Sequence, residues 1–205
     1  MNFLMAISKR IDAFSEWMGR WVAWLVLLAV LISAGNAVMR KAFNMSSNGF
    51  LEIQWYLFAA VFLLASGYTL LRQEHVRIDV ISGRCSKRTQ IWIDIIGLCV
   101  FLLPFALIII RLSMPLVLNA YATQEVSSNA GGLLRWPVFA LLPLGMLVLS
   151  IQAVSELIKR IAFLKGMIPD PSKKAGSKTA EEELAEFLQQ KEVAAREAAL
   201  LGAQK

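Results

Sequence analysis

Apolar residues in this chain fall in long runs, and polar residues gather at the joints between them. Four runs stand out, over residues 21–38, 53–71, 91–110 and 136–157. Each reaches the roughly 18–20 residues that a helix needs to cross about 30 Å of hydrocarbon. Alternating apolar and polar stretches of about ten residues, the mark of a membrane β-barrel, are absent. Backbone groups in lipid must then bond within their own segment, which leaves helices. The pattern predicts an all-α membrane protein with four transmembrane helices, over about 18–39, 52–71, 91–112 and 136–158. These make one domain, 1–168, followed by a linker and tail, 169–205.

The third run keeps its apolar character through Pro115 to Leu118 and is too long for the bilayer. It must tilt, or break near Pro115 and continue outside. Pro104 and Pro143 are candidate kinks that neighbouring helices accommodate. The first run exceeds the usual core of a signal peptide, and Ser33-Ala34-Gly35-Asn36-Ala37 is a poor cleavage site, so a retained helix is expected.

Charge orients the spans. Lys9, Arg10 and Arg20 precede the first run, and Arg72, Arg77, Arg84, Lys87 and Arg88 follow the second. Lys159, Arg160, Lys165, Lys173 and Lys174 follow the fourth. The other side collects Arg40, Lys41, Arg111 and Arg135, with Arg111 assigned to the loop after the third span. Thirteen basic residues against four put the first side, and both chain ends, in the cytoplasm. Tryptophan agrees: Trp17, Trp21 and Trp92 mark inner ends, while Trp55 and Trp136 mark outer ones.

After Ile168 the composition changes. Pro169-Asp170-Pro171-Ser172 is a linker, and Thr179-Ala180-Glu181-Glu182 fits a capping box. A cytosolic helix is expected over about 180–201, with Leu184, Phe187 and Leu188 as a modest apolar face. A solvated helix explains this segment more simply than a docking helix.

Composition reinforces the membrane reading, with 57% apolar residues against the roughly 45–50% of soluble domains. The formal charge of +6 lies beside apolar spans, which points to anionic headgroups and topology, with no nucleic acid as partner. Cys85 sits in a basic loop and Cys99 in an apolar span, an arrangement that suits neither a disulfide framework nor a metal site. No glycine-rich loop ends in Lys-Ser or Lys-Thr, and His75 is the single histidine. A bis-histidine haem, a catalytic triad and a histidine-rich metal site are all hard to build, so neither enzyme activity nor a cofactor is expected.

Ionisable groups inside hydrocarbon usually mark function. The deep parts of the four predicted spans carry none; Glu52, Asp94 and Glu156 lie near their ends. A proton-coupled pump normally needs a buried carboxylate near the midplane, so the pattern favours a supporting subunit. The densest polar stretch is Arg72-Gln73-Glu74-His75-Val76-Arg77-Ile78-Asp79-Val80. A topology-setting basic loop explains its arginines, but not the alternation of acid and base around a histidine.

Several segments together carry a resemblance. They are Leu51-Glu52-Ile53-Gln54-Trp55-Tyr56-Leu57-Phe58, Gly67-Tyr68-Thr69-Leu70-Leu71-Arg72, and Glu74-His75-Val76-Arg77-Ile78-Asp79-Val80. Asn129-Ala130-Gly131-Gly132-Leu133-Leu134-Arg135-Trp136-Pro137 and Pro143-Leu144-Gly145 complete the set. Over roughly residues 18–162 the chain resembles the small membrane (Q) subunit of tripartite ATP-independent periplasmic (TRAP) transporters. Gln54 stands where many relatives carry a second acidic residue, which suggests a subgroup.

The resemblance implies a multi-pass subunit of the bacterial inner membrane, beside a large elevator-type permease (M) subunit. A sodium gradient drives such a machine, and a periplasmic binding protein delivers organic acids. The small subunit is then a static brace. Expected contacts with partner or phospholipid are Glu52, Trp55, Tyr56, Arg135 and Trp136 at the outer end, and Arg72, His75, Arg77 and Asp79 at the inner end. The loop of residues 121–135 is the candidate contact with the binding protein. The competing reading is a self-sufficient small transporter acting as a homo-oligomer.

Overall fold

A computed structural model describes residues 2–44, 48–72, 86–129, 131–168 and 191. The chain divides into two units, Met1–Pro171 and Ser172–Lys205, and the architecture below is that of the first. The expected tail helix and the residues His75, Arg77 and Asp79 lie outside the described residues.

Helix α1 runs Asn2–Phe43 and α2 runs Asn48–Arg72. The third span is built from α3 (Lys87–Ile96), a π-helical segment (Gly97–Leu102) and α4 (Leu103–Ala122). Helix α5 runs Trp136–Leu164. Four helices are thus long and apolar enough to cross a membrane. Among the described residues no strand forms; a single antiparallel bridge joins Val126 to Leu134.

Local chemistry explains the boundaries. Ser86 caps α3, its hydroxyl accepting from the Thr89 amide at 3.3 Å. Pro137 stands near the start of α5, a first-turn position where a missing amide costs little. Pro104, by contrast, comes just after the π-helical segment inside a continuous span and leaves a carbonyl of the preceding turn without its usual donor. Gly166, with φ +71°, ends α5, and Met167 donates back to the Ala162 carbonyl at 3.0 Å.

The structure decides between the two alternatives for the third span and corrects the placement of Arg111. The helix does not break near Pro115: it continues to Ala122, with the proline in its interior. Arg111 is therefore not a loop residue. It sits in the middle of α4, because Leu112 to Ala122 supply enough apolar and helix-compatible residues to carry the helix through Pro115.

Helices α1, α2 and α5 pack against one another, while the third span packs principally on α5. Small residues set the spacing. A Cβ on Gly145 would come within 2.7 Å of the Leu63 Cβ and 2.8 Å of its carbonyl oxygen, so α5 and α2 touch there almost backbone to backbone. A Cβ on Gly67 would meet Val148 at 2.9 Å, and one on Gly19 would meet the Tyr68 ring at 2.6 Å. With no hydrophobic drive between helices in lipid, such close approach is what dispersion forces require. The buried apolar set is small and includes Val22, Ala29, Ile91, Leu98, Ala106, Val148 and Ala153. Large side chains such as Trp24, Phe62 and Phe101 face outward.

Candidate functional site

Polar side chains concentrate at two levels of this helix array. At the first, the N-terminal turns of α2 meet the segment joining α4 to α5. Glu52 is only 3% exposed. One carboxylate oxygen accepts from the Asn129 side-chain amide at 2.7 Å, and the other from the Leu133 backbone amide at 2.8 Å. One turn along α2, the Tyr56 hydroxyl donates to the Leu134 carbonyl at 3.0 Å.

The segment itself is shaped to present these donors. Ser127 N donates to the Leu133 carbonyl at 2.9 Å, and Arg135 N to the Glu125 carbonyl at 2.9 Å, making a short hairpin. Gly132 N donates to the Asn129 carbonyl at 2.9 Å and closes its turn. Gly131 takes φ +72°, and a Cβ on Gly132 would lie 2.6 Å from the Ser127 Cβ, so this Gly-Gly pair is a steric requirement. Arg135 pairs with Glu125 at 2.8 Å across the base of the hairpin. Tyr121 and Trp136 meet edge to face at 5.5 Å, joining the end of α4 to the start of α5.

The second level lies toward the other end and joins the N-terminal half of α1 to the C-terminal half of α5. Ser8, Asp12 and Ser15 recur at helical spacing on α1; Gln152, Ser155, Glu156, Lys159 and Arg160 do so on α5. Ser15 donates to Gln152 Oε1 at 2.7 Å. Asp12 Oδ1 accepts from Gln152 Nε2 at 2.9 Å and from the Ser155 hydroxyl at 2.7 Å. Since Ser155 spends its proton on Asp12, the 2.7 Å contact between Ser8 and Ser155 has Ser8 as donor. Lys159 reaches Asp12 Oδ2 at 3.1 Å and also pairs with Glu156. Arg160, 3% exposed, pairs with Glu156 in its own helix and with Asp94 of α3 at 3.1 Å. Two cations thereby serve three carboxylates, with serine and glutamine hydrogen bonds on Asp12 supplementing them, among groups held largely out of water.

The residues singled out from sequence divide accordingly. Glu52, Tyr56, Arg135 and Trp136 come together around the hairpin. Trp55, beside them in sequence, points outward and is 68% exposed. Arg72 lies at the far end of α2, paired with Glu16 of α1 at 3.2 Å and 5.4 Å from the centroid of the Tyr68 ring. Sequence reasoning did not single out Asn129 as a partner of Glu52, and it missed the seam through Ser8, Asp12 and Ser15. The helical spacing of those three residues was the available signal. It was passed over because the first span was expected to begin near residue 18, whereas α1 begins at Asn2.

A family model described as "Tripartite ATP-independent periplasmic transporters, DctQ component" matches residues 29–163, well over half of the chain. The chain belongs to the DctQ family. It is therefore a small permease subunit of a TRAP transporter, a multi-pass membrane protein, and a member of a transporter-component family rather than an enzyme family. DctQ membership implies association with the large membrane component and the substrate-binding component. No curated protein and no solved structure matches the chain. The matched region contains both the Glu52 hairpin cluster and the α5 side of the seam, while Ser8, Asp12 and Ser15 lie before it.

Proposed function

We propose that this DctQ chain is a static brace for a large elevator-type permease subunit, in sodium-coupled uptake of organic acids delivered by a periplasmic binding protein. In this reading the protein lies in the bacterial inner membrane, with its N-terminus and the tail beyond residue 168 in the cytoplasm. The Glu52 hairpin then faces the periplasm and the α1–α5 seam lies at the cytoplasmic boundary, in keeping with the excess of basic residues there. Residues 1–168 act as the membrane domain and 169–205 as a cytosolic linker and helix.

The observation that carries the reading is where the described carboxylates are spent. Glu52 is occupied by a loop, Asp12 and Asp94 by ties between helices, and Glu156 by Lys159 and Arg160 of its own helix. Intramembrane ionisable groups that serve a proton or ion pathway exchange partners, whereas those of a brace stay locked. Broad outward apolar faces suit both lipid and a neighbouring subunit. At the periplasmic end Trp55, exposed beside the hairpin, is the proposed direct contact; Glu52, Tyr56, Arg135 and Trp136 hold the surface that partners meet. At the cytoplasmic end Arg72, with His75, Arg77 and Asp79 after it, is proposed to hold phospholipid phosphate or partner carboxylates.

The test is purification of the tagged chain from its native membrane under mild detergent. A large permease in stoichiometric amount is the expected result. A homo-oligomer that moves solute alone in liposomes would establish the self-sufficient transporter instead.

A further inference from the structure

Arg111 occupies a place that the brace reading does not yet use. On α2, Glu52 and Arg72 bound the apolar run. They are separated by about 30 Å at 1.5 Å per residue, which matches the hydrocarbon thickness. Glu52 binds Leu133, Tyr56 binds Leu134, and Trp136 meets Tyr121, so the last turn of α4 lies near the Glu52 boundary. Arg111 precedes Tyr121 by about 15 Å along the helix axis, half the hydrocarbon thickness.

At that depth Arg111 is exposed, and so are Leu107, Ile108, Leu112 and Met114 around it. Among the described residues it has neither an ion pair nor a side-chain hydrogen bond. Pro115 adds a second demand: it has no amide hydrogen, so the Arg111 carbonyl lacks its usual donor one turn on. Intramembrane charges almost always face a bundle interior or a water-filled cavity and are paired there. An extended arginine side chain covers only about half the distance to the headgroups, so lipid phosphate is a poor partner. A two-fold contact with a second copy through this face would bring two Arg111 side chains together. The third span packs principally on α5, which leaves this face open to another subunit.

We infer that the Arg111 face of α4 docks against the large permease subunit, and that Arg111 meets a carboxylate on one of that subunit's membrane helices. This rests on the proposed partnership with the large permease. The surrounding Leu107, Ile108, Leu112 and Met114 form the apolar rim that keeps the pair dry.

The full chain is co-expressed with its cognate large permease, with a photo-crosslinking residue at Leu107 or Met114, and separately as Arg111→Leu and Arg111→Lys. The expected crosslink is to the large subunit. Arg111→Leu should lower the co-purified large subunit by about tenfold or more, and Arg111→Lys should restore most of it. Expressed alone, the Arg111→Leu chain should insert and melt no lower than the parent chain, since it loses an unpaired intramembrane charge. Crosslinks only to lipid or to a second copy, or an undiminished complex with Arg111→Leu, overturn the inference. Capture by the parent chain separates the two levels. If it captures no large permease, both the brace reading and this inference fall. If it does and Arg111→Leu captures as much, this inference alone falls.

Discussion

The hairpin at Glu52 and the seam between α1 and α5 are both polar, yet they do different physical work. At the hairpin a single carboxylate gathers neutral donors: an asparagine amide and a backbone N–H. It holds the shape of a connecting segment. At the seam, carboxylates face ammonium and guanidinium groups, with serines and a glutamine filling the remaining lone pairs. It holds the register of whole helices. In lipid, apolar faces slide past one another with little preference, so a polar tie is a means of setting register. The difference teaches that the same residue type, an acid near a helix end, orders a loop at one end and aligns helices at the other.

The comparison can be broken by removing its central residues. Arg160→Ala should have the largest effect on stability. It takes from buried Glu156 one of its two cations and from Asp94 its tie to α5, at a cost of about 3 kcal/mol. The check is the melting temperature in detergent, which should fall sharply, with α3 detaching from α5 as read by amide exchange. An unchanged melting temperature would mean that the seam does not set the helix register.

Glu52→Ala should act locally. Amide exchange across residues 125–135 should accelerate by about tenfold or more, while exchange in α1 stays as before. If the seam helices loosen as well, the two ends are one cooperative unit and the contrast fails. Smallest is Ser15→Ala, which removes one donor to Gln152 and should cost about 1 kcal/mol. Paired with Asp12→Asn in a double-mutant cycle, it measures how far the seam acts as one network; strictly additive losses would show separate bonds.

Much of the architecture was legible in the sequence. Four runs of the right length predicted four helices, and four long apolar helices are present. The Glu52 region and the segment that holds Gly131-Gly132 were both singled out by the resemblance. The seam was less legible. Ser8, Asp12 and Ser15 look like ordinary surface residues of a helix, and only the approach of α5 makes them interior. Arg111 was misplaced because a positive charge before Pro115 resembles the end of a span, and hydropathy alone does not say that a helix continues beyond it.

What the sequence by itself determined is the class of element, because the cost of an unpaired peptide group in hydrocarbon leaves long apolar runs no alternative to helix. It also carried the DctQ resemblance, since that rests on residue order. Tertiary structure alone decided who partners whom. Glu52 found its donors 77 and 81 residues away, and Asp12 found Lys159 across 147. Such pairings depend on where helices of nearly uniform apolar character come to rest against one another. Periodicity along a single helix does not contain that information.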